Sequence, residues 1–222
     1  MKPLGSRSAA ASAWAAVLVA VLVAATSCSI GTDDEPRALA VSTTTTTLPA
    51  TPTSGGATAV VYYLRDGQLI PVSLSLPDRQ VQTVVNTLFE VSDTSVQGQD
   101  LTTSVPVDTH LTSMELQDGT LTLDLSEEFD NVVGPSRQLA IAQIVMTATE
   151  FGNVERVRFR VDGDPIQVAT PTRGDASTVT ACDYASLLPD PAQVESVGLG
   201  STTLQRLQLR TSKLESTCPA PD

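Results

Sequence analysis

Apolar residues recur along this chain with two periods, and the switches between them outline a fold. Residues 59–64, Ala-Val-Val-Tyr-Tyr-Leu, are a β-branched and aromatic run, and residues 68–76 follow with Val72 and Leu74 in alternation, so both stretches read as strands. Between them lies Asp66-Gly67, a strong hairpin signal because a tight turn demands positive φ, which glycine adopts without strain. The same dipeptide recurs as Asp118-Gly119, between apolar runs at 111–116 and 120–125, and as Asp162-Gly163, after residues 154–161. Three tight turns predict a sheet built largely from hairpins. Two stretches change to the helical period. Val81, Val84, Val85, Leu88 and Phe89 form one continuous stripe, with Asp78 placed to favour the helix N-terminus. A second helix is predicted over 137–150 with Ser136 as its N-cap. It is apolar nearly all round, so it packs as a central element, and its lone Gln143 is expected to satisfy a buried backbone group. The fold class predicted is α/β (α+β): a single compact domain with a hairpin-rich mixed β-sheet against two helices.

The periodic region occupies only part of the chain. Residues 1–27 open with Lys2 and Arg7, carry no acid, and run almost purely apolar from 9 to 25 before Thr26 and Ser27, the layout of a secretory signal peptide. Ala25-Thr26-Ser27-Cys28 resembles a bacterial lipobox, in which the cysteine is diacylated and becomes the new N-terminus, although alanine stands where lipoboxes usually carry leucine. Two acyl chains give stable anchoring, so Cys28 is the expected lipidation site, on the extracytoplasmic face of the cell membrane. An uncleaved helix is the alternative, since the apolar run is near the ~17-residue lower limit for a membrane span. Residues 28–56 are rich in Thr, Pro, Ala and Ser and read as a disordered linker, with a composition that also resembles O-glycosylated stalks. The domain spans 57–189, and 190–222 is a tail of weak periodicity. With Cys28 assigned to lipid, Cys182 and Cys218 are left as a pair in an oxidising compartment, where a disulfide holding the tail is the simplest expectation and two free thiols the alternative.

The formal charge is −12, and loss of the leader, with two cations and no anion, makes it −14. Such a surface disfavours nucleic acid. No phosphate cradle is apparent, and no cofactor or metal is expected. Arg156, Arg158 and Arg160 alternate with Val157, Phe159 and Val161, so the arginines share one strand face. This dense cationic patch on an acidic chain is a candidate partner-binding surface; a solvated sheet face is the plainer account.

Catalytic constellations are absent from the pattern. The one histidine, His110, stands beside Asp108 and Thr109 in a turn leading into a strand, and adjacency alone does not make a nucleophile and base. Asp124, Glu127, Glu128 and Asp130 form the densest carboxylate cluster, which could serve acid/base hydrolysis or bind Ca²⁺. The simpler account is that Ser126 caps a short helical turn whose positive end Glu127 and Glu128 favour.

Five strings in order resemble a GerMN domain, a module of exported lipoproteins in Gram-positive bacteria. They are residues 60–64 (Val-Val-Tyr-Tyr-Leu), 105–111 (Val-Pro-Val-Asp-Thr-His-Leu), 119–129, 142–149 and 157–163, the likeness ending near Asp183-Tyr184. Residues 91–99 depart from it, replacing the short Gly-Pro turn that family members tend to have. The resemblance implies a compact α/β module of assembly or regulation at the cell surface, with no established catalytic residues, and some relatives act beside a sensor kinase. The leading expectation is a non-enzymatic, membrane-anchored lipoprotein that binds an envelope protein or membrane-associated complex. A module for wall polymer or small ligand is the alternative, with Tyr62, Tyr63 and Tyr184 as its aromatic candidates. A wall hydrolase using the acidic cluster ranks third.

Overall fold

The computed structural model describes residues 56–90, 100–194 and 200–219. The leader, Cys28, the linker before residue 56 and the segment 91–99 lie outside the described residues. Strands β1 (Ala57–Arg65) and β2 (Gln68–Leu76) form an antiparallel hairpin with Arg65 opposite Gln68, closed by Asp66 and Gly67 at φ 51° and 77°. β3 (Leu111–Gln117) and β4 (Thr120–Leu125) pair in the same way around Asp118-Gly119, and β5 (Arg156–Val161) and β6 (Asp164–Ile166) around Asp162-Gly163. The fold class is α/β as the pattern indicates, but the hairpins do not share one sheet. β1–β2 stands alone, β3-β4-β5-β6 is a mixed sheet with β4 and β5 parallel, and β7 (Val168–Thr170) with β8 (Gly174–Ala176) makes a third small ladder.

Helix α1 (Val81–Glu90) buries Val84, Val85 and Leu88, while Asp78 accepts the Gln80 N–H just ahead of it at 2.9 Å. Helix α2 (Gly134–Ala148) starts three residues before the predicted first turn. Val133 holds the N-cap position with no side-chain cap and Ser136 lies inside the helix, because Pro135 fixes a helical φ in the first turn, where its missing N–H costs nothing. Nine consecutive residues, 140 to 148, are buried. Gln143 is one of them. Its Nε2 donates to the Tyr62 carbonyl at 3.1 Å and its Oε1 accepts the Ser104 N–H at 2.8 Å, while Thr147 Oγ1 accepts the Tyr62 N–H at 3.0 Å. Next along β1, Leu64 exchanges both backbone bonds with Thr102. The outer edge of β1 is thus closed at Tyr62 and Leu64 by a helix and a loop.

The C-terminal segment is not a loose tail. Helix α3 (Pro191–Val194) precedes the 17-residue α4 (Ser201–Thr217), which packs on β2 and on a 3₁₀ turn (Ala181–Leu187) and buries Leu207, Arg210 and Leu214. A disulfide joins Cys182 in that turn to Cys218 at the end of α4. The turn itself is fixed by a capping box in which Asp183 accepts the Thr180 N–H at 2.7 Å, and by an ion pair from Arg173. Burial opposes ionisation of Asp183, but the Arg173 and Thr180 hydrogen bonds outweigh it and hold the carboxyl below its usual range. A depressed carboxyl contributes stability in full above the unfolded value of about 3.9 and loses it as pH falls through the folded value. Asp183→Asn is therefore expected to destabilise the chain at neutral pH and to narrow the gap between neutral and about pH 3, as read by urea midpoints.

Candidate partner-binding face

In the mixed sheet, Leu121, Leu123 and Leu125 of β4 lie beside Val157, Phe159 and Val161 of β5, all six buried. The opposite face is polar, with Thr120, Thr122 and Asp124 beside Arg156, Arg158 and Arg160. The strand period thus puts three guanidinium groups in one row, spaced roughly 6.6 Å apart along the backbone. Each is held differently. Arg156 lies down on the sheet: its Nε donates to Thr120 Oγ1 at 3.1 Å, one terminal nitrogen to the Asp118 carbonyl at 2.9 Å, and the other approaches Glu155 at 3.4 Å. Arg158 donates only through Nε, to Thr178 Oγ1 at 2.9 Å, so both terminal nitrogens are without a partner among the described residues. The Arg160 side chain makes no hydrogen bond or ion pair among them. Alternation placed the arginines on one face, but nothing in the sequence marked Thr178 as the residue that orients Arg158.

The carboxylates that cluster in sequence separate in space. Asp124 accepts the Gly163 N–H at 2.9 Å and Asp130 pairs with Arg137 at 3.0 Å. Glu128 is held below the usual carboxyl range first by the Ser126 hydroxyl and then by a backbone N–H. Ser126 sits at the N-cap of a 3₁₀ turn (Glu127–Asn131) but does not cap it, because its Oγ accepts the His110 N–H at 3.1 Å instead. His110 is exposed, its Nδ1 3.2 Å from the Asp108 carbonyl. Among the described residues, no three His, Cys, Asp or Glu side chains gather as metal ligands would. The tyrosines offer no platform: Tyr62, Tyr63 and Tyr184 are each 0% exposed. Burial, and then Glu150, raise the Tyr62 hydroxyl well above its ordinary value, and it donates to Glu150 at 2.8 Å. No described helix is long and apolar enough to cross a membrane.

Residues 60–167 match the Germane family model, described as sporulation and spore germination. No curated protein matches. Among solved structures, the tandem GerMN domains of the sporulation protein GerM from Bacillus subtilis are 18% identical with a TM-score of 0.49, covering 58% of this chain. This chain spans about half (47%) of that one. The first GerMN domain of the same protein is 19% identical with a TM-score of 0.47, covering 56% of this chain and 97% of its own. A Clostridium perfringens protein provisionally described as a lipoprotein is 18% identical with a TM-score of 0.40, over 61% and 94%. The family match stops at residue 167, so β7, β8 and α4 lie beyond it.

Proposed function

Since residues 60–167 make up a domain of the Germane family, we propose that this chain is a membrane-anchored, extracytoplasmic lipoprotein whose domain is a non-catalytic protein-binding module in envelope assembly or signalling. Cys28 carries the lipid, and the partner is an acidic surface of an envelope protein or membrane-associated complex, a sensor kinase among the candidates. The observation behind this reading is the arginine row. On a chain of formal charge −12, Arg158 and Arg160 present guanidinium groups with open donors, and such forks take carboxylates in bidentate fashion. The buried tyrosines weigh against the wall-polymer alternative, and the dispersed carboxylates against a hydrolase.

The test replaces Arg158 and Arg160 together by glutamine, sparing Arg156, which is hydrogen-bonded to Thr120 and to the Asp118 carbonyl. Exposed charges contribute little to folding, so the thermal midpoint should stay nearly unchanged. Partner recovery by crosslinking from intact cells is expected to fall several-fold, most at low salt, where charge steers association. Recovery equal to the parent protein at every salt concentration would show that these arginines are only a solvated face.

A further inference from the structure

Two outer strand edges of this domain, those of β1 and β3, are treated differently. In a two-residue hairpin the pair flanking the turn exchanges both backbone bonds, and every second residue then points its N–H and C=O to the outside. In β1 the outward residues nearest the turn are Tyr62 and Leu64, and both are satisfied, by Gln143, Thr147 and Thr102, leaving Val60 and Thr58 at the far end. In β3, Gln117 faces Thr120 across the turn, so the outward residues are Met114 and Leu116. Among the described residues, no backbone hydrogen bond joins β3 to anything but β4. Unpaired strand edges are templates for a further strand, and proteins ordinarily cover them or blunt them with lysine, proline or bulges. β3 has neither lysine nor proline, and its one bulge lies at the far end, between Leu111 and Ser113.

A groove of about 420 Å³ runs beside this open edge, on the inner side of the sheet. Met114, Leu116, Leu121, Val81 and Phe151 give it an apolar floor and wall, and Arg79 lies 5.9 Å from the Phe151 ring at its rim. Leu116 is 39% exposed there. On the outer side, Glu115 is the single charge on β3 and has no ion-pair partner among the described residues.

We propose that β3 is an acceptor edge, to which an extended segment of another polypeptide adds as a fifth strand. Its backbone bonds to Met114 and Leu116, its inward apolar side chains fill the groove, and a lysine or arginine on its outward side sits opposite Glu115. The charge argument selects a basic segment: cross-strand pairs of opposite sign are favourable, and the acidic chain draws a basic segment toward it. The edge adjoins the arginine row without including it: Glu115 lies across from Thr122 and Thr122 from Arg158, so the row stands two strands away on the same sheet face. Affinity comes mainly from the main chain and specificity from alternate side chains.

The test uses the full chain and a heptapeptide, Thr-Val-Lys-Val-Lys-Val-Thr, against its glutamate counterpart and a version methylated on alternate backbone nitrogens. Residue-resolved amide exchange is expected to show new protection at Met114 and Leu116, with Glu115 and Gln117, already bonded to β4, unchanged. The lysine peptide should bind about threefold or more tighter than the glutamate peptide, the Glu115→Lys variant should reverse that order, and the methylated peptide should not bind. Leu116→Asp should weaken binding about tenfold by spoiling the groove; if it fails to fold, the Glu115→Lys reversal decides. Unchanged exchange at Met114 and Leu116 with both peptides overturns the proposal. So does protection already complete in the free chain, which would mean that another part of this chain covers the edge. Protection that rises with protein concentration alone also overturns it, in favour of a second copy.

Discussion

The Cys182→Ser, Cys218→Ser double variant is expected to lose about 4 kcal/mol of stability. The bond closes a loop between residues 36 apart, and chain-entropy reasoning gives that figure for a loop of this length. The loss should have a location. Helix α4 buries only Leu207, Arg210 and Leu214, too little to hold 17 residues against fraying without a tether at Cys218. Amide exchange in the double variant should therefore accelerate first along α4, then in β2 beneath it, while β4 and β5 exchange only through global unfolding. Equal acceleration in all elements would mean that the helix is not a separate unit.

Arg210→Leu should cost about 3 kcal/mol, close to the disulfide although it removes no covalent bond. The Arg210 guanidinium is 5% exposed and serves Thr149 twice, at the carbonyl (3.1 Å) and at Oγ1 (2.6 Å), while its Nε lies 3.3 Å from Glu150. Leucine would leave the Thr149 carbonyl unpaired in the interior and the Glu150 carboxylate, 23% exposed, with only the Tyr62 hydroxyl. Adding Glu150→Gln should recover part of the loss, because the stranded charge is then gone. Lysine at 210 should rescue little, since a single ammonium cannot reproduce the guanidinium fork. Combined with the serine pair, Arg210→Leu should cost less than the separate losses suggest, because both act by releasing the same helix. Urea midpoints measured at constant m value check all four statements.

The hairpins were legible because Asp-Gly states both positions of the turn, and α1 because its stripe is unbroken. α2 was legible as a buried helix but not in its start, where the serine pattern competed with a proline that extends the helix backwards. α4 was missed for a physical reason: an arginine occupies one of its core positions between Leu207 and Leu214, while Leu209 is 66% exposed, so the hydrophobic period is broken twice. β7 and β8, at three residues each, are too short to show any period. The arginine row followed from alternation alone. The fate of the tyrosines did not, because what removes Tyr62 from the surface is a glutamate 88 residues away.

The clamp on Tyr62 also sets an order of events during synthesis. Its carbonyl and N–H wait for side chains 81 and 85 positions later in the chain. The Asp66-Gly67 turn can nucleate its hairpin at once, but a lone two-stranded hairpin is marginal in water, and contacts of such long sequence separation form late. Until α2 is made, the β1 run of valine and tyrosine has a bare edge suited to pairing with the wrong chain. A nascent chain ending before residue 140 is therefore expected to leave that edge bare, and one extending past residue 148 carries the side chains that cover it at Tyr62.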